Sequence, residues 1–136
     1  MFFRLKTSGP RRYLQIGVKV ITHHWTVIPI RRNGKVPGRG GSTYEAFKLE
    51  PNWKELPVGK AGVVTSDDYW ERITYFLERV VPVAAEHKVR LACHPQDPGI
   101  GDRTYRGVAR VMGTVEGLQK FIEMHESPYH GLNFCQ

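Results

Sequence analysis

The feature that most constrains the fold is an amphipathic helix that leads directly into a short strand. The spacing of apolar side chains predicts a helix over residues 67–88. Its buried face is predicted to hold Trp70, Ile73, Leu77, Val80 or Val81, and Ala84. Thr65 and Asp68 fit a capping box before the helix, and Pro82 is expected to kink it or to mark where it starts again. Residues 89–94 then have the composition of a strand.

Upstream of this helix, the sequence predicts one strand and one hairpin. Residues 18–25 are rich in β-branched side chains, and we expect them to form a strand. Residues 27–36 are predicted to form a hairpin, because Asn33 and Gly34 are the residues that a type I′ turn favours. Residues 37–64 are expected to be irregular.

Downstream, the same alternation of helix and strand continues. Residues 96–112 are rich in Gly, Pro, Asp and Arg and are predicted to form a long loop. Thr114 is expected to cap a helix that ends near His125, with an inward face formed by Leu118, Phe121, Ile122 and His125. Residues 132–135 are predicted to form a last strand.

This order predicts an α/β fold with a parallel sheet. The sheet could be open and doubly wound, or part of a closed (β/α)₈ barrel. Three strands are too few for a barrel, which typically takes about 250 residues, and an open three-stranded sheet would leave two unpaired edges. We therefore expect residues 1–136 to be a single incomplete domain, a fragment of a larger protein.

The net charge of +7 is unevenly distributed. Residues 1–40 carry nine Lys or Arg and no Asp or Glu, whereas the other 96 residues carry eleven basic and thirteen acidic side chains. Such asymmetry indicates either a polyanionic partner or one piece of a larger, balanced protein. No apolar run approaches the roughly 18 residues that a transmembrane helix needs, and the start does not resemble a secretory signal, so we expect a cytoplasmic protein.

Two residues at predicted strand ends have side chains that bind metals. Side chains alternate along a strand, so His94 should lie on the face opposite the apolar side chains of residues 89–94. The same alternation places Cys135 on the equivalent face of the last strand. Imidazole and thiolate are ligands for divalent transition metals, and ligands bind at the carboxyl ends of parallel strands. Taken singly, each residue is more often a structural one.

Four residues at or near the predicted strand ends also need an interpretation. His23 and His24 are adjacent at the tip of the first strand, so at most one of them can face the same site as His94. Cys93 should face the helices and belong to the core. Asp97 could orient a metal ligand, or could cap a turn.

A basic, glycine-rich segment follows the first strand. Residues 37–42 lack the Gly-Lys-Ser/Thr ending of a phosphate-binding loop, so they are a weak nucleotide signal. Arg31, Arg32 and Arg39 could instead hold a carboxylate, because guanidinium groups bind carboxylates in a bidentate manner. Solvated surface charge is the alternative.

The segment from Tyr69 to Pro98 resembles the mannonate dehydratase family. It consists of the predicted helix, the strand that follows it and the motif HPQDP at residues 94–98. The closing segment SPYHGLNFCQ, residues 127–136, resembles the same family. The resemblance covers residues 17–136, whereas residues 1–16 form an atypical start.

The resemblance implies a xylose-isomerase-like (β/α)₈ TIM barrel, of which about three βα units are present, and a bound Mn²⁺ or Fe²⁺. The implied reaction is that of a hydro-lyase, the loss of water from D-mannonate to give 2-keto-3-deoxy-D-gluconate in hexuronate breakdown. His94 and Cys135 fall on two of the family's metal ligands. His24, Arg31 and Arg39 are expected to contact the substrate. The remaining ligands and the acid/base residues are expected beyond the C-terminus, so we expect the fragment itself to be inactive.

The sequence leaves two alternatives open. Another xylose-isomerase-like sugar isomerase or epimerase would use carboxylates and histidines, so a metal bound by Cys135 argues against it. A nucleic-acid-binding module could use residues 1–40, but this segment has no recognised motif and no concentration of aromatic side chains. The expected partner is thus D-mannonate rather than nucleic acid or membrane, and the intact protein could form a homo-oligomer.

Overall fold

The computed structural model describes residues 17–101 and 103–134. Over these residues the chain alternates between strands and two helices. In chain order the elements are β1 (Val20–His24), β2 (Gly34–Pro37), β3 (Thr43–Ala46), α1 (Ser66–Glu86), β4 (Arg90–His94), β5 (Thr104–Tyr105), β6 (Val108–Ala109), α2 (Val115–Glu123) and β7 (His130–Leu132).

The main sheet is parallel and has the strand order β1-β4-β7. The strand order therefore follows the order along the chain, and one helix lies between each pair of neighbouring strands. The predicted mixed α/β fold with a parallel sheet is confirmed. Among the described residues, no helix is long and apolar enough to cross a membrane.

The helix α1 begins at the predicted capping box. The backbone N–H of Asp68 donates to Thr65 Oγ1 over 3.1 Å, and the backbone N–H of Thr65 donates to Asp68 Oδ2 over 2.9 Å. Its buried residues are Tyr69, Ile73, Leu77, Val81 and Ala84. Tyr69 rather than Trp70 is the first fully buried residue of this face, and its hydroxyl donates to the Trp25 carbonyl. Trp70 is half-buried and packs against the core.

The helix α1 continues through Pro82, so the prediction that it starts again there is wrong. Proline removes the hydrogen bond to the carbonyl four residues earlier, that of Glu78. Both Pro82 and Glu78 lie on the exposed side of the helix, where water can bond that carbonyl.

Both helices cover the same face of the main sheet. Leu91 and Cys93 of β4 are buried in the core with α1. His130 of β7 is the in-register neighbour of Leu91, and its Nε2 lies 3.0 Å from the carbonyl oxygen of Phe121 on α2. The predicted alternation of side chains along β4 is confirmed, since His94 lies on the face that points away from the helices.

The prediction of a hairpin turn at Asn33 and Gly34 is wrong. The antiparallel pair consists of β2 and β3, and its turn is a 3₁₀ segment at Arg39–Gly41. Gly40 and Gly41 adopt positive φ angles, which glycine reaches without a steric cost. Asn33 instead closes the open end of the hairpin, where its side chain bonds the backbone of Lys48 at 2.8 and 2.7 Å.

The segment predicted as a long loop, residues 96–112, is more ordered than its composition indicates. It contains the short antiparallel pair β5–β6, and Val108 and Met112 are almost completely buried. Val108 also bridges to Val64, just before α1. The segment therefore forms part of the core.

The second half of the chain departs from the predicted pattern in two places. Thr114 caps α2 as predicted, but Phe121 is its one fully buried side chain, and Ile122 and His125 are exposed. The last strand pairs from His130 to Leu132 and so begins two residues earlier than predicted, next to the bond from the N–H of Leu91 to the Tyr129 carbonyl. The predicted end at residue 135 lies outside the described residues.

His23 of β1 lies on the helix side, where its ring packs against Phe76 with centroids 5.8 Å apart. Both of its ring nitrogens are buried and lack a hydrogen-bond partner in the described part of the chain. Burial, reinforced by His130 and His24, lowers the pKa of His23 from 6.5 to about 4. His23 is therefore neutral in the folded protein at neutral pH.

We expect Ile73→Ala to lower the free energy of unfolding by about 2–5 kcal/mol, because Ile73 is completely buried and the substitution leaves a cavity. The matched control is Ile122→Ala, since Ile122 is 40% exposed and should change stability by only about 0.5 kcal/mol. Urea unfolding measures both. Equal losses for the two variants would contradict the described packing.

We also expect stability to fall as the pH drops from 6.5 towards 4. In this range the unfolded chain binds a proton at His23 and the folded chain does not, so protonation favours unfolding, by up to about 3 kcal/mol. His23→Phe keeps the aromatic contact and should flatten this dependence in urea unfolding at several pH values. An unchanged slope in the variant would show that other groups cause the effect.

Candidate functional site

Two predicted site residues meet at the carboxyl end of the main sheet. His24 ends β1, His94 ends β4, and the two are in-register partners across the parallel pair. In-register residues of neighbouring strands point to the same face, so the two imidazoles share the face that the helices leave uncovered. His23 points to the other face, so one histidine of the pair joins His94 and the other does not.

The ring of His94 is held in one orientation. Its Nδ1 lies 2.7 Å from the carbonyl oxygen of Pro95, and it must donate because a carbonyl oxygen can only accept. A neutral imidazole then carries its free lone pair on Nε2. This is the arrangement that metal-binding histidines have, in which a backbone carbonyl fixes the ring.

His24 is exposed, and its Nδ1 lies 2.7 Å from Thr26 Oγ1. A hydroxyl can donate or accept, so this contact orients the ring without fixing which nitrogen carries the proton. His24 can therefore offer a donor or an acceptor to a ligand beside His94.

Gln96, which sequence reasoning missed, anchors the loop that follows His94. It is 6% exposed, and its Nε2 donates to Tyr69 Oη over 2.9 Å and to the Trp25 carbonyl over 3.3 Å. Its Oε1 accepts from the backbone N–H of Met112 over 3.0 Å. One amide thus joins the end of β1, the start of α1 and both ends of the loop. The sequence offers no signal for this role except the position directly after a strand tip.

The basic residues near β1 differ in their environments. Arg32 forms an ion pair with Asp97, so Asp97 holds the loop after β4 to the segment before β2. This ion pair is a third role for Asp97, beside the two considered from the sequence. Arg31 is exposed, and Arg39 lies in the exposed turn between β2 and β3. Within residues 17–101 and 103–134, neither of these two has a carboxylate within ion-pair distance.

The second predicted metal ligand, Cys135, lies outside the described residues. The backbone N–H of Asn133 donates to the Cys93 carbonyl over 2.8 Å, so the chain two residues earlier runs beside β4. Over the part of the chain that the structure describes, no three His, Cys, Asp or Glu side chains form a group that could hold a metal ion.

Cys93 is completely buried on the helix side, as predicted. Burial raises the pKa of its thiol to about 12, because a thiolate would lose its hydration there. Cys93 therefore remains a thiol at neutral pH and acts as an apolar core residue.

Comparison with known proteins identifies a family and several relatives that resemble this chain. The family model described as D-mannonate dehydratase (UxuA) matches residues 43–136. A mannonate dehydratase of Shouchella clausii is 40% identical over 72 residues, which cover 53% of this chain and 19% of that protein. A mannonate dehydratase of Endomicrobium trichonymphae is 33% identical over 101 residues, which cover 69% of this chain and 27% of that protein.

The fold has a counterpart among solved structures. The crystal structure of a mannonate dehydratase from Streptococcus suis superposes with a TM-score of 0.67 and 23% sequence identity, over 92% of this chain and 38% of that one. This chain thus spans well under half the length of the proteins it resembles. The family match over residues 43–136 agrees with the resemblance carried by the HPQDP motif, and the chain belongs to the mannonate dehydratase family.

Proposed function

We propose that the main sheet forms three adjacent strands of a (β/α)₈ barrel. Two features of the described residues support this. The strand order β1-β4-β7 follows the chain, as it does around a barrel, and both helices lie on one face. A doubly wound sheet would have helices on both faces. In a barrel, the face that holds His24 and His94 would line the interior at the end where active sites lie.

We further propose that the chain carries part of the active site of a mannonate dehydratase. The reaction is the loss of water from D-mannonate to give 2-keto-3-deoxy-D-gluconate, a hydro-lyase step in hexuronate breakdown. The orientation of His94 carries this proposal, because its Nε2 has no hydrogen-bond partner among the described residues and lies at a strand tip within the region that matches the family. The aligned residues cover only 19% and 27% of two relatives, so we expect the complete reaction to need further residues.

The proposed metal is Mn²⁺ or Fe²⁺, held by His94 and Cys135 together with ligands from the rest of a full-length enzyme. An imidazole with a carbonyl-fixed ring and a thiolate suit such borderline ions better than Mg²⁺. When bound, the ion would act as a Lewis acid that stabilises the negative charge formed as the proton next to the substrate carboxylate is removed. The Pro95 carbonyl would keep His94 oriented throughout.

For substrate binding we propose His24, Arg31 and Arg39. His24 shares a face with His94 and can exchange hydrogen bonds with a sugar hydroxyl. Arg31 and Arg39 lack carboxylate partners among the described residues, so their guanidinium groups are available for the carboxylate of a sugar acid. Arg32 is already paired with Asp97 and is not proposed.

We expect His94→Asn to weaken Mn²⁺ binding by the chain at least tenfold. Asparagine can still donate to the Pro95 carbonyl but lacks the Nε2 lone pair, so the loop should be retained and the ligand lost. The matched control is His125→Asn, because His125 is exposed, has a positive φ that asparagine tolerates, and lies outside the site. Electron paramagnetic resonance of free Mn²⁺ measures the affinity. Equal affinities for the two variants would exclude His94 as a ligand.

The proposed role of Cys135 is tested with Co²⁺ as a probe. A thiolate ligand produces a near-ultraviolet charge-transfer band on Co²⁺, which Cys135→Ser should abolish and Cys93→Ser should not. Cys93 is a fitting control because it remains a buried thiol. A band that survives in Cys135→Ser would remove this residue from the metal site.

We expect the purified 136-residue chain to convert no D-mannonate in the presence of Mn²⁺. The family resemblance implies that the acid/base residues and two metal ligands come from parts of the enzyme that this chain lacks. Formation of 2-keto-3-deoxy-D-gluconate is followed by a coupled assay, with a full-length relative as the positive control. Turnover that exceeds the protein-free rate would overturn this part of the proposal.

A further inference from the structure

A cavity of about 530 Å³ lies away from the candidate metal site, among the helices. It is bounded by the first turns of α1 and α2 and by the segment that follows β6. The side chains and backbone that line it include Ser66, Trp70, Arg110, Thr114, Gly117 and Lys120. His24 and His94 do not line it, and they face the side of the sheet that the helices leave open.

Arg110 is the unusual residue of this cavity. It is 2% exposed, and its Nη2 donates to the Pro98 carbonyl over 3.2 Å. Its Nε is buried and has no hydrogen-bond partner in the described part of the chain. A guanidinium keeps its charge in proteins and has five N–H donors, so a buried one normally has several acceptors around it. Because Arg110 lines the cavity, its guanidinium charge can attract an anionic group that binds there.

The backbone around the cavity favours a negative charge. Ser66 is the first residue of α1 and Thr114 caps α2, so the positive ends of two helix dipoles meet there. Helix N-termini carry N–H groups with no partner inside the helix and commonly bind oxyanions. Lys120 adds a second cationic side chain, and Glu116 is the acidic residue among those that line the cavity.

The size of the cavity and its aromatic wall indicate a ligand larger than a bare ion. Its volume falls in the range of small-molecule sites, about 300–1,000 Å³. Trp70 supplies an aromatic surface, over which the Nζ of Lys120 sits 4.3 Å from the ring centroid. An aromatic wall beside cationic donors suits a polar organic molecule with a charged end.

We propose that this cavity binds a small organic oxyanion, whose carboxylate or phosphate group is held by Arg110 and the two helix N-termini while its body lies against Trp70. The site is separate from the proposed metal site and does not depend on the function proposed for it. A sugar acid and a sugar phosphate both have this chemistry, and the test distinguishes them.

The test is isothermal titration calorimetry on the purified chain with D-gluconate, glucose 6-phosphate and mannitol at constant ionic strength. We expect saturable binding of at least one of the two anions and none of mannitol, which has a similar body but no charge. Binding of gluconate alone identifies a carboxylate site, and binding of glucose 6-phosphate alone identifies a phosphate site. Failure of both anions to bind, or equal binding of mannitol, would overturn the proposal.

Variants locate the binding within the cavity. Arg110→Gln should weaken it at least tenfold, but this residue is buried and the variant could fail to fold. Two variants at exposed residues avoid that problem, because Lys120→Gln should weaken binding several-fold and Glu116→Gln should strengthen it several-fold. The matched control is Glu123→Gln, which makes the same change at the far end of α2 and should leave the affinity unchanged. Identical affinities for all three exposed variants would overturn the assignment to this cavity.

Discussion

The structure depends on the backbone pairing of β4 with a strand on each side. β4 bonds β1 along its whole length and β7 from Leu91 to Cys93, so its peptide groups are paired within the sheet. The flanking strands each have a single neighbour in the described sheet, and their positions follow from β4. The register that sets His24 beside His94, and the hydrogen bond that brings Asn133 to the Cys93 carbonyl, are both consequences of this central pairing.

Beyond the end of β4, one buried side chain fixes the path of the loop. Gln96 uses its carbonyl and both amide hydrogens on Met112, Tyr69 and Trp25. A buried amide left unpaired costs about 1–3 kcal/mol, so this complete set of partners favours one path for the loop. The orientation of His94 depends on that path, because its ring bonds the carbonyl of the residue that precedes Gln96.

Features that depend on interactions within one segment could be predicted from the sequence, whereas features that depend on distant partners could not. The cap at Thr65 and the spacing of Ile73 and Leu77 fix α1 within one segment, and both were predicted. The turn signal at Asn33 was overridden because β2, which begins at the next residue, pairs with β3 at Thr43–Ala46. Buried Gln96 and Arg110 could not be predicted, since polar residues are ordinarily exposed and their partners lie on other elements. Cys135 lies outside the described residues, so the sequence prediction for its role is neither confirmed nor contradicted.

The alternation of side chains along a strand separates inert groups from available ones. His23 and Cys93 point to the helices, where burial lowers the pKa of the imidazole and raises that of the thiol, so both stay uncharged at neutral pH. Their neighbours His24 and His94 point to the open face and keep lone pairs that a ligand can reach. The adjacent histidines His23 and His24 therefore differ in their surroundings because the helices cover only one face of the sheet. The proposed metal ligand His94 lies on the open face of β4, whereas on the helix side Arg110 and the positive N-termini of two helices add their charges and favour the proposed anion.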